Sequence, residues 1–170
     1  MTEVDPLVTH IDLVRHGSVA TPNLFCAPSG ESLSVAGWQQ LETTTRNAKA
    51  DVIISSPSRR CNEFATYHSE QRGCSLEVID GFQEMDFGLW IGQSTQNIWV
   101  QDEALLQTLW QTPLKFNAPG GEAMPCFIER VQNSWLAMIH QHVGKRVLLF
   151  SHGGVIRVLL ALALGIPYQK

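Results

Sequence analysis

The sequence predicts an α/β domain in three layers, with a mostly parallel sheet covered by helices on both faces. One observation and one general rule predict it. Short apolar runs of strand length alternate along the chain with longer segments of helical pattern. Strands separated by helical crossovers pair in parallel and are buried on both faces. The 170 residues, 44% apolar and 16% charged, supply enough apolar material for one core without staples. There is no internal repeat, low-complexity stretch or linker, so 1–170 reads as one domain.

Four segments read as strands. Residues 10–14 and 51–55 are short buried runs, 76–79 is a weaker one, and 147–151 is the clearest, five residues without a charge. Five helices fall between or after them. Ser34 is an N-cap for a helix over 35–49. A second helix, over 58–71, begins just after Pro57, and a third, over 93–111, is ended by Pro113. Residues 122–142 form the best amphipathic helix, with Phe127, Val131, Trp135 and Met138 on one face. A last, mostly buried helix covers 153–164.

Composition excludes several classes. The net charge is −4 and no run of Lys or Arg stands out, so nucleic acid is not an expected partner. The longest apolar run, 158–164, falls far short of the roughly 20 residues of a membrane span. Residues 1–10 lack the apolar stretch of a signal peptide. A soluble, cytoplasmic protein follows. Cys26, Cys61, Cys74 and Cys126 show no C-x-x-C spacing, and free buried thiols in a reducing compartment are expected.

In parallel α/β sheets the ligand site lies beyond the carboxyl ends of the strands. After the first strand come Arg15, His16 and Gly17. After the second come Ser55, Ser56 and Pro57, then Arg59 and Arg60. After the last come Ser151, His152, Gly153 and Gly154. A single histidine after a strand is usually a loop residue, and an arginine in a first helical turn is usually a solvated charge. Here both types converge on one sheet edge. Guanidinium forks match a phosphoryl group and keep their charge. Glycines let backbone N–H groups approach its oxygens at a helix N-terminus. A neutral imidazole is a competent nucleophile near pH 7, provided its second ring nitrogen is held as N–H, as a backbone carbonyl would do.

These segments resemble the histidine phosphatase superfamily, the phosphoglycerate mutase-like fold. Leu13-Val14-Arg15-His16-Gly17 is similar to its R-H-G signature, and Ser55-Ser56-Pro57-Ser58-Arg59-Arg60 to its S-S-P-x-x-R segment. Ser151-His152-Gly153-Gly154-Val155-Ile156-Arg157 resembles its second-histidine motif, Glu84 matches its proton-donating acid, and Pro119-Gly120-Gly121-Glu122 resembles its G-G-E turn. The likeness runs over 11–167 in the family's order.

The resemblance implies roles. His16 would carry the phosphoryl group as phosphohistidine, with Arg15, Arg60 and His152, and Gly17 and Gly153 beside them, binding phosphate. Glu84 would protonate the leaving alkoxide and then activate water. That task needs a carboxyl with a raised pKa, which apolar neighbours such as Phe82, Met85 and Phe87 would favour. No cofactor or metal is implied, since the arginines supply the charge a metal would. The chain departs from the pattern at Val19, where the family often has Thr, at Pro22 beside Asn23, and at Ile91 in place of Glu. It also stops soon after Gly165-Ile166-Pro167, short of the family's usual length, and apolar surface left on the last helix would favour a homodimer.

At 170 residues there is little room for a mutase's insertions, which favours hydrolysis of a small phosphorylated metabolite. The segments 81–92 and 110–122 resemble α-ribazole phosphatases of cobalamin assembly. Sugar phosphatases and phosphoglycerate mutases share much of the same pattern. Trp90, Trp99, Trp110 and Phe116 lie where they would cap the site; at least two of the four are expected in the core, with Trp90 and Asn23 as pocket candidates. The opposing class is a non-catalytic module that binds phosphorylated ligands.

Overall fold

The structure, a computed structural model, describes residues 8–27 and 30–168. Residues 1–7, part of the segment read as lacking a signal peptide, lie outside it. Four strands, β1 (His10–Arg15), β2 (Val52–Ser55), β3 (Ser75–Val78) and β4 (Arg146–Ser151), form one sheet in the order β1-β4-β2-β3. Every pairing is parallel. Five helices accompany them: α1 (Val35–Thr45), α2 (Arg59–Arg72), α3 (Thr95–Gln111), α4 (Met124–Gln141) and α5 (Gly153–Leu164). Among the described residues no helix is long and apolar enough to cross a membrane.

The alternation of side chains along a strand splits the core in two. Leu148 and Phe150 of β4 and Ile53 of β2 pack with Leu41 of α1 and Cys61, Phe64 and Ala65 of α2. Val147, Leu149, Val52 and Ile54 face the other way, onto Phe127, Val131 and Met138 of α4, Val155, Val158 and Leu159 of α5, and Ile98 and Leu106 of α3. The three expected layers are therefore present, and the central β2 and β4 are buried on both faces.

Several boundaries move for identifiable reasons. The first helix stops at Thr45 rather than near 49, and the Arg72 guanidinium satisfies the terminal carbonyls of Thr45 and Arg46. The third begins at Thr95, where the Ser94 hydroxyl accepts from the amide of Asn97, and it breaks at Asp102 (φ −150°, ψ 49°). The fourth begins at Met124, not 122, with a proline in its first turn. The last is only half buried: Val155, Val158 and Leu159 are core, while Leu160 and Leu164 are exposed. All four cysteines are free, yet only Cys61 is fully buried and Cys126 is exposed.

Candidate active site

Neighbouring parallel strands in register end at the same level, and this brings the sequence-distant motifs together. Arg15 pairs with Ser151, and the His16 amide donates to the Ser151 carbonyl at 3.0 Å. The Ser56 amide donates to Phe150 O, also at 3.0 Å. The His16 and His152 rings lie 5.3 Å apart, centroid to centroid.

The loop after β1 is pressed against α1. A Cβ on Gly17 would lie 2.2 Å from the Gly37 carbonyl oxygen, and one on Gly37 would lie 2.0 Å from that of Ser18. Gly17 is thus required first for backbone-to-backbone packing. His16 Nδ1 is 2.8 Å from Gly17 O. A carbonyl only accepts, so Nδ1 carries the proton and Nε2 keeps a lone pair. Burial lowers the His16 pKa to about 4, opposed by the Gly17 hydrogen bond and reinforced by the Arg60 and Arg15 charges. The imidazole is neutral at pH 7.

Arg60 is 1% exposed. One of its terminal nitrogens donates to Ala27 O at 2.9 Å, and its Nε has no hydrogen-bond partner among the described residues. The ion pairs among those residues are Arg59–Glu63, Arg130–Glu122 and His142–Glu77, and Arg60 is in none. A charge buried this way without a carboxylate is costly, and an anion at the site would offset that cost. Arg15 is exposed at the mouth; its guanidinium lies against Gly153, whose Cβ position is 3.6 Å from Arg15 Nε.

His152 is fully buried, with Nε2 2.8 Å from Ser56 Oγ and 3.7 Å from Cys61 Sγ. Burial holds its pKa well below the ordinary histidine value, helped by Arg60, His16, Arg130 and Arg15. The same burial pushes the Cys61 thiol up to about 12, so it stays protonated. Glu84 approaches from the loops after β3. Its carboxylate accepts from the amides of Gly154 at 3.1 Å and Met85 at 3.2 Å. A Cβ on Gly154 would fall 2.3 Å from Glu84 Oε1, so that glycine makes room for the carboxylate.

Of the pocket candidates, Asn23 lines a cavity of about 310 Å³ with Arg15, His16 and Gln40. Its φ of +68° is one that Asn tolerates. Trp90 is 3% exposed and packs between Phe25 and Phe116, with ring centroids 5.4 and 5.5 Å away. Phe116 is also core, whereas Trp99 and Trp110 are exposed and lie 6.3 Å apart. Sequence reasoning missed Gln40, whose Oε1 accepts from the Ser18 amide and hydroxyl at the cavity wall. It also missed the support that Ser56 gives His152, although Ser56 stood inside a motif already singled out.

Comparison with known proteins agrees with this architecture. The chain belongs to the histidine phosphatase superfamily, branch 1, which it matches over residues 11–170. A bifunctional protein of Mycobacterium tuberculosis is 27% identical over 92% of this chain, which spans 44% of that protein's length. A protein of Hydrogenobacter thermophilus provisionally named phosphoserine phosphatase 2 is 28% identical over 93% of the chain and 80% of its own length. The adenosylcobalamin/α-ribazole phosphatase of Escherichia coli is 24% identical over 92% and 80%. Among solved structures, Bacillus stearothermophilus YhfR superposes with a TM-score of 0.86 at 23% identity, covering 95% of this chain and 83% of that one, and so shares the fold.

Proposed function

We propose that the protein is a phosphomonoester hydrolase working through phosphohistidine on His16. One observation carries this reading: a neutral imidazole whose Nδ1–H is fixed on Gly17 O lies beside a buried arginine outside every ion pair described. His16 Nε2 attacks phosphorus and the P–O bond to the leaving group breaks. Glu84, in its acid form, gives its proton to the departing alkoxide. The carboxylate so formed takes a proton from water, whose oxygen attacks the phosphohistidine. Inorganic phosphate leaves and the lone pair returns to Nε2. Arg15, Arg60 and His152 hold the phosphoryl oxygens, so chelators should leave turnover unchanged.

For the substrate, the reading is α-ribazole 5′-phosphate. It is supported by the resemblance around Glu84 and Gly121, by the name of the E. coli relative, and by a mostly apolar cavity of about 350 Å³. Glu84, Phe87, Trp110, Phe127 and Tyr168 line that cavity, and it could take an aromatic base beside the acid. A panel of phosphorylated metabolites tests both levels. Hydrolysis of any monoester, lost in His16→Ala, supports the activity; binding without turnover would make the chain a phospholigand module. A higher kcat/KM for α-ribazole 5′-phosphate than for 3-phosphoglycerate supports the substrate, and the reverse rejects it.

A further inference from the structure

Glu84 stands in a stretch, 83–87, that belongs to neither helix nor strand and lies between single turns at Asp80–Phe82 and Gly88–Trp90. No strand ladder holds it. One side chain from α4 does. Arg130 donates through one terminal nitrogen to the carbonyls of Gly81 and Gln83, each at 3.0 Å, and through the other to the carbonyl of Glu84 at 3.3 Å. Its remaining edge grips Glu122 in a two-pronged pair, Nε to Oε1 at 2.9 Å and the terminal nitrogen to Oε2 at 2.7 Å. The guanidinium lies 5.0 Å from the Phe127 ring centroid.

A guanidinium has five N–H donors, and these five bonds use all of them. None is left for a substrate oxygen. Glu122 in turn binds the far end of the same stretch, its amide donating to Asp86 O at 2.8 Å and its Oε2 accepting from the Asp86 amide at 3.4 Å. The Arg130–Glu122 pair therefore clamps the main chain on both sides of Glu84. It also commits the Glu122 carboxylate to an ion pair, so Glu122 is not available as the proton donor. Lysine, with three donors and no planar fork, cannot reproduce the arrangement.

We infer that Arg130, braced by Glu122, is a positioning residue that fixes Glu84 for proton transfer. The inference rests on the acid role proposed above for Glu84. A displacement of about 1 Å can cost on the order of a hundredfold in such a step, and only a leaving group that needs a proton would feel it.

The test is the first-turnover burst of phosphohistidine from glycerol 3-phosphate and from p-nitrophenyl phosphate, in the full chain and in Arg130→Lys, Glu122→Gln and Glu84→Gln. Arg130→Lys should slow the glycerol 3-phosphate burst by about tenfold to hundredfold and the nitrophenyl burst by less than about threefold. It should add nothing further in a Glu84→Gln background. Glu122→Gln should show the same pattern more weakly, and it decides the matter if Arg130→Lys does not fold. Equal losses for both substrates, while Glu84→Gln still discriminates between them, would reduce Arg130 to a fold element and overturn the inference. If Glu84→Gln itself fails to discriminate, the acid role falls, and the inference with it.

Discussion

The two halves of the site rest on different kinds of support. His16 and His152 follow β1 and β4, which are hydrogen-bonded neighbours in a buried parallel sheet, and Arg60 opens α2 just past the end of β2. Their positions are set by ladders of backbone bonds and by a core on both faces. Glu84 has no such frame: two amides hold its carboxylate and one guanidinium holds its main chain. The sheet-borne half concentrates positive charge and neutral imidazoles. The loop-borne half, which the proposed mechanism asks to supply one proton, depends on a few replaceable contacts. Regular backbone fixes what must not move, while side-chain-to-backbone bonds suffice where a single carboxyl has to be aimed.

Breaking the loop-borne half alone gives the largest selective effect. Glu84→Gln keeps the shape but cannot deliver a proton, so bursts from alkyl phosphates should fall by about 10²–10⁴-fold. Those from p-nitrophenyl phosphate, whose leaving group departs unaided, should fall much less. Burst rates are the right readout, because in the proposed mechanism Glu84 also serves the water step, and steady-state rates would then fall for both substrates alike.

Breaking the sheet-borne half separates function from stability. Arg60→Met removes a buried charge that no carboxylate neutralises among the described residues. Turnover should drop by about 10²–10³-fold. Denaturant unfolding without phosphate should show a fold at least as stable as the parent's. A marked loss of stability would mean that Arg60 is structural.

The same half should be acid-sensitive. Burial lowers the His16 pKa to about 4 in the folded state, against the ordinary histidine value of 6.5. Below pH 6.5 the unfolded chain takes up the proton first, so stability falls with pH until both states are protonated below about 4. At about 1.4 kcal/mol per pH unit, the His16 contribution is on the order of 3 kcal/mol. It is fully present above pH 6.5. His16→Asn should flatten that part of the stability profile, and an unchanged profile would remove His16 as its source.

The smallest effect sharpens the contrast. Gly154→Ala places a methyl against the flexible end of Glu84. It should slow alkyl phosphates by about tenfold while leaving phosphate affinity within about twofold, because His16, Arg60 and His152 do not move. Loss of phosphate binding would show that the halves are coupled.

The same contrast explains what could be read from the sequence. Parallel strands and their trailing His and Arg clusters were legible because apolar runs mark the strands and the strand ends mark the site. The sheet order was not legible, since nothing local says that β4 slots between β1 and β2. Glu84 entered only through resemblance, for a loop carboxylate has no periodicity to reveal it. Arg130's hold on the Glu84 segment was invisible, because the carbonyls it binds there lie about 46 to 49 positions away. Trp90, a pocket candidate in the sequence, is buried against Phe25 and Phe116: an aromatic near a loop looks the same in sequence whether it faces a ligand or the core.

The central claim is that His16 Nε2 takes the phosphoryl group, and trapping that intermediate tests it most directly. Protein mixed with a ³²P-labelled monoester, quenched in alkali within the first turnover and mapped by peptide, should carry label on His16. The bond should be stable to alkali and labile to acid, and His16→Ala should show neither label nor turnover. Label on another residue, or parental turnover in His16→Ala, would contradict the account.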